Sequence, residues 1–128
     1  MKIEHLAIWV DDLEQMKDWY CQSFKMAAGE KYENLTKGFS SYFLSFSAGS
    51  RIELMKRNNI AEAPKPRGMA SGLAHFAISV GSLETVNQMT DEFRTQGITI
   101  IGEPRTTGDG YYESVIEDPE GNWIEISS

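Results

Sequence analysis

A chain of 128 residues with 41% apolar content is long enough for one globular domain with a core and too apolar for disorder. Its formal charge of −7 argues against nucleic acid and against an anionic membrane surface as partners, but leaves room for a small anion held by a local basic cluster. Cys21 is the only cysteine, which excludes an intrachain disulfide, and no leader or membrane-spanning pattern is visible, so the cytoplasm is the expected compartment.

Residues 2–10 alternate, with Leu6, Ile8 and Val10 on one face and His5, Ala7 and Trp9 on the other, which predicts a strand. Asp11-Asp12 offers a helix N-cap, with Gln15 three residues after Asp12. Leu13, Met16, Tyr20 and Phe24 then follow at helical spacing. Strands are expected over 26–32, over the aromatic run 39–47, and over 51–56 after the turn Ala48-Gly49-Ser50. The stretch 57–71, with Pro64, Pro66 and Gly68, has no period and reads as a linker or an active-site loop. Lys56, Arg57, Lys65 and Arg67 make it locally basic, either to hold a carboxylate or phosphate or simply as a solvated loop. A strand over 73–80 follows, then a helix from Leu83 to about Gln96 capped by Ser82, with Val86, Met89 and Phe93 on one stripe. Strands over 98–103 (ended by Pro104), 111–117 and 122–127 complete the chain. The expected fold is α+β: two tandem β-α-β-β-β modules, 1–56 and 72–128 joined by 57–71, forming one curved mixed sheet with the helices outside.

The two modules repeat each other in sequence. His5-Leu6-Ala7-Ile8-Trp9-Val10 returns as His75-Phe76-Ala77-Ile78-Ser79-Val80, and Gly49-Ser50-Arg51-Ile52-Glu53-Leu54 returns as Gly121-Asn122-Trp123-Ile124-Glu125-Ile126. Each copy thus opens with a histidine and closes with a glutamate, and no other histidine is present. Alternation puts Ile52 and Leu54 opposite Glu53, and Ile124 and Ile126 opposite Glu125, so the ionisable groups lie on the faces away from the helices. A single mid-strand glutamate or a lone histidine is commonplace. Four, at two matched repeat positions, point to His5, Glu53, His75 and Glu125 as ligands of a divalent metal. A duplicated structural sheet needs to keep its apolar pattern but has no need of these groups.

On these residues the chain resembles the vicinal oxygen chelate superfamily, the glyoxalase I, bleomycin resistance and extradiol dioxygenase group. The resemblance rests on His-x-x-Ile-x-Val-x-Asp-Leu at 5–13, His-Phe-Ala-Ile-Ser-Val at 75–80 and Glu-Asp-Pro-Glu-Gly-Asn-Trp-Ile-Glu-Ile at 117–126, and it covers essentially the whole chain. It implies a metal in a cup formed by both modules. The order His5, Glu53, His75, Glu125 is similar to that of bacterial glyoxalase I enzymes, which implies a lyase or isomerase working through an enediolate on a small α-oxo or α-hydroxy carbonyl compound, such as a thiol hemithioacetal. In that scheme Glu125 is the proton-transferring base, with Glu53 the second candidate, and the ion is nickel, cobalt or zinc, with manganese or iron as further choices. The family's habit implies a homodimer.

The resemblance departs from glutathione-using members at two positions. Their arginine four residues past the first histidine is Trp9 here, and their asparagine four residues past the first glutamate is Arg57. The ligand set therefore implies the chemistry and leaves the substrate open. Two other readings stay beside it. A dioxygenase or epimerase would use the same cup, and a non-catalytic antibiotic- or metabolite-binding protein would need no metal. Trp9 and Trp123, on the faces of His5 and Glu125, are placed to wall such a site, and 105–112 to cover it.

Overall fold

The computed structural model describes all residues 1–128, which divide into two compact units, Met1–Ala61 and Glu62–Ser128. Each unit runs strand, helix, then antiparallel strands. The first contains β1 (His5–Trp9), α1 (Leu13–Phe24), β2 (Ala27–Ala28), β3 (Tyr32–Asn34), β4 (Phe39–Ser45) and β5 (Arg51–Arg57). The second contains β6 (His75–Ser79), α2 (Leu83–Thr95), β7 (Ile100–Thr106), β8 (Tyr112–Glu117) and β9 (Trp123–Ser127).

The strands form two sheets where the sequence pattern predicts one. One sheet has the order β1-β5-β4-β2, with β3 also pairing β4, and the other has the order β6-β9-β8-β7. β1 and β6 are edge strands: each takes a parallel partner from its own repeat, β5 or β9, and there its ladder ends. The other pairings are antiparallel, so both sheets are mixed, as expected. No helix is long and apolar enough to cross a membrane.

Each helix covers one face of its own sheet. In α1 the Asp12 side chain accepts from the Gln15 backbone N–H at 3.0 Å, and Leu13, Met16, Tyr20 and Phe24 are buried against Leu44, Ile52 and Leu54. In α2 Ser82 caps through the Thr85 N–H at 3.2 Å, and the buried stripe is Val86, Thr90 and Phe93. Thr90 thus takes the core position expected for Met89. It can do so because its hydroxyl donates to the Val86 carbonyl at 2.7 Å and pairs with the buried Ser114 hydroxyl at 2.7 Å.

Three further elements differ from expectation. The strand expected over 26–32 is two short ones, because the ladder to β4 lapses after the Gly29 N–H bonds the Phe43 carbonyl and resumes at Tyr32. The strand expected to stop before Pro104 runs through it to Thr106. β7 is an edge strand with register shifts on either side of Gly102, so the missing proline N–H leaves no partner unmet. Within the expected linker, Arg57 belongs to β5, and Arg67–Met69 forms a short 3₁₀ turn.

Candidate metal centre

The structure places the four sequence-predicted ligands as two like pairs, one per unit. In the parallel pair β1·β5, His5 lies opposite Arg51 and Ala7 opposite Glu53. In β6·β9, His75 lies opposite Trp123 and Ala77 opposite Glu125. The offset is the same in both, two residues on one face, and alternation turns both faces away from the helices. Ile52, Leu54, Ile124 and Ile126 occupy the other side and are buried, as the pattern predicts. The His5 Nε2 atom is 3.8 Å from Glu53 Oε2, and His75 Nε2 is 3.3 Å from Glu125 Oε2.

These spans suit two donors to one ion. With bonds of ~2.1 Å, neighbouring ligand atoms stand about 3.0 Å apart in an octahedron and about 3.4 Å apart in a tetrahedron. The His75–Glu125 pair falls in that range, and the His5–Glu53 pair is wider by a few tenths of an ångström. An imidazole and a carboxylate are donors that zinc, nickel and cobalt accept. The donors come as pairs only: no group of three or more His, Cys, Asp or Glu side chains that could hold a metal ion is present.

The surroundings of the two pairs have diverged. His5 Nδ1 is 2.5 Å from Glu4 Oε2, Glu4 is also paired with Arg51, and the Arg51 guanidinium lies 4.0 Å from the centre of the Phe43 ring. A carboxylate can only accept, so the proton of this bond sits on Nδ1, and in the neutral imidazole the free lone pair is then on Nε2, which faces Glu53. The His5 hydrogen bond, with Arg51 adding to it, holds the Glu4 carboxyl below the ordinary carboxylate value. The residue that precedes His75 is Ala74, so the second copy has no counterpart.

The second unit has a different device, which the sequence reading missed. Glu113 on β8 is two residues from Val115, the partner of Glu125, and therefore shares Glu125's face. It is only 8% exposed, and its carboxylate accepts from Arg105 at 3.2 Å. Burial pushes the Glu125 carboxyl up from its ordinary value, and the charge and hydrogen bond of Glu113 push it further. His75 and Arg105 oppose the shift only partly. Glu113 corresponds in the repeat to Ser41, and nothing in the local pattern separates a buried Glu on β8 from an exposed one.

The remaining features flagged by sequence fall into place on these faces. Trp9 meets Phe39 edge to face at 6.1 Å. Trp123 is covered by the turn at Arg67–Met69. A side chain at Gly68 would collide with the indole (2.1 Å from a Cβ to the ring), and Arg67 donates to Asn122 Oδ1 at 2.8 Å. Asp118 organises the turn before β9 by accepting from the Glu120 and Asn122 backbone N–H groups and the Asn122 amide at 2.7–3.0 Å. Cys21 in α1 has its thiol pushed up chiefly by burial, the reverse of what a nucleophile requires.

Comparison with known proteins bears on the fold and the family. The chain is 29% identical over 129 residues to a probable lactoylglutathione lyase of Vibrio cholerae, covering 98% of this chain and 88% of that protein. Among solved structures, glyoxalase I from Zea mays superposes with a TM-score of 0.80 at 22% identity over 98% of this chain, and the chain spans 44% of that longer protein. A glyoxylase/bleomycin resistance protein/dioxygenase domain from Frankia superposes with a TM-score of 0.83 at 15% identity, covering 99% of this chain and 90% of that one. At these identities the superpositions establish the fold. The family model of the Glyoxalase/Bleomycin resistance protein/Dioxygenase superfamily matches residues 2–126, and the chain belongs to that superfamily.

Proposed function

We propose that the protein is a divalent-metal-dependent lyase or isomerase of the glyoxalase I kind. It would act on a small α-oxo or α-hydroxy carbonyl compound by moving a proton between adjacent carbons. The observation that carries this reading is the repeated offset: the same His–Glu pair, in the same register, on the same face of two parallel strand pairs. His5, Glu53, His75 and Glu125 would hold the ion, two donors from each unit, drawn from one chain or from two chains of a homodimer. Bound there, a nickel, cobalt or zinc ion would supply Lewis acidity to the substrate's oxygens and so acidify the neighbouring C–H.

Glu125 would serve as the base, with Glu53 the second candidate. The Glu125 carboxyl is raised by burial and by Glu113, so its proton affinity is closer to what proton transfer near neutrality requires. It would take the proton from the carbon beside the carbonyl through a carboxylate oxygen and return it to the adjacent carbon. Glu113, held by Arg105, keeps Glu125 in that state. Glu4 and Arg51 fix the His5 ring so that Nε2 is the donor.

The test is metal content of protein purified without chelator or immobilised metal, comparing wild type with His75→Ala. Equimolar nickel, cobalt, zinc or manganese that is lost in the variant supports the reading. Glu125→Gln should then abolish turnover of thiol–aldehyde adducts while the fold persists. Equimolar iron would favour an oxygenase instead. Absence of metal from both proteins after reconstitution would leave a binding protein as the account.

A further inference from the structure

The face that carries His5 and Glu53 continues along the first sheet into a cavity of about 280 Å³, lined by Tyr32, Asn34, Lys37, Phe39 and Arg57. Register puts these residues beside one another. Arg57 is four residues beyond Glu53 on β5 and on the same face. Phe39 lies opposite Arg57, and Asn34 lies opposite Phe39. Four residues of strand place the cavity roughly 13 Å from Glu53.

Its lining is one-sided in charge. Lys37 and Arg57 have no carboxylate within ion-pair reach, although the chain is acidic overall. Among the acids of the unit, Glu4 pairs with Arg51, Glu14 with Lys17 and Lys31, and Glu33 with Lys31. The Asn34 side-chain oxygen is engaged by the Lys37 backbone N–H at 3.0 Å, which closes the turn and leaves the amide NH₂ as a donor. The cavity therefore offers two cations and an amide donor. Its walls are aromatic: Tyr32 packs on Phe39 at 6.0 Å, and Phe39 on Trp9 at 6.1 Å.

We infer that this cavity binds the oxyanion end of an elongated small molecule, a carboxylate or phosphate on a flat apolar stem. It rests on the proposed function only in identifying that molecule with the substrate. Charge-assisted hydrogen bonds from Arg57 and Lys37 recognise the oxyanion, and the Phe39 and Tyr32 rings accept the stem. Trp9 adjoins this cavity through Phe39, and Arg57 lines it. An aromatic wall and a guanidinium at those positions select a ligand with one anionic terminus and an apolar body.

The experiment is a titration of the full chain with 4-phenylbutyrate, phenyl phosphate and the neutral 4-phenylbutan-1-ol. Binding is followed by amide and side-chain ¹H–¹⁵N shifts, before and after chelator treatment. Saturable shifts at the Asn34 amide and Arg57 Nε are expected with one or both anions. The stronger of the two identifies carboxylate or phosphate as the preferred group. Affinity should fall about tenfold in Lys37→Gln/Arg57→Gln and weaken as salt rises. The alcohol should bind at least about tenfold more weakly than the better anion. Equal affinity for alcohol and anion, shifts confined to other residues, or unchanged anion binding in the double variant would overturn the inference. Because none of the probes has vicinal oxygens to chelate and the expected result survives chelator, failure here is separable from failure of the metal assignment.

Discussion

Glu4→Ala tests how the first histidine is oriented. In the folded protein Glu4 Oε2 is 2.5 Å from His5 Nδ1, and Arg51 holds the other Glu4 oxygen. Removing the carboxylate frees the imidazole to rotate and to carry its proton on either nitrogen, so Nε2 is no longer held as the unprotonated atom facing Glu53, 3.8 Å away. Loss of such an outer partner weakens metal binding by about 10–100-fold. The Glu4 side chain is 54% exposed, so water replaces part of what it provides, and the lower end, about tenfold, is the expected loss. Competition with a metallochromic chelator measures it. A second readout needs no metal: long-range ¹H–¹⁵N spectra of metal-free protein above the histidine titration range should report the Nδ1–H tautomer for His5 in wild type and a mixture in the variant. Arg51→Met should move both readouts in the same direction by less. Wild-type affinity together with an unchanged His5 tautomer in Glu4→Ala would refute the reasoning.

Two further outcomes follow from the packing. Thr90→Val strands the buried Ser114 hydroxyl and should cost about 1–3 kcal/mol in urea unfolding, while Thr90→Val/Ser114→Ala should recover most of it; additive losses would count against the pairing. Glu14 is held below its ordinary value of 4.5, first by Lys31 and then by Lys17 and Tyr42. A depressed carboxylate contributes stability that is complete above its ordinary value and lost as pH falls through the lower, folded one. The urea midpoint of Glu14→Gln should therefore lie below wild type at about pH 7 and converge on it as pH falls below that ordinary value.

The elements that carry the candidate ligands were legible because two strong periodicities coincide there. Alternation in 5–10 and 75–80, and the paired aliphatics around Glu53 and Glu125, decide which face each side chain takes. The helices were legible for the same reason: Asp12, Ser82 and the apolar stripes act locally. What was not legible depends on partners distant in sequence. Thr90 reads as a surface residue until Ser114 supplies its hydrogen bond. Pro104 reads as a terminator until β7 proves to be an edge. Glu113 reads as one more acid among nineteen until the β8–β9 register brings it beside Glu125. The division into two sheets was hidden because alternation fixes faces within a strand and is silent on which ladders join.

The parallel pairing of β1 with β5 has a kinetic consequence. It joins residue 5 to residue 51, and β6 with β9 joins residue 75 to residue 123, whereas β4–β5 and β8–β9 close across turns of a few residues. Loop-closure entropy delays long pairings until the hairpins and helix they dock onto exist. In each unit, then, the histidine meets its glutamate late in folding. An ion bridging the two would act as a latch on that last-formed seam, slowing opening far more than it hastens assembly.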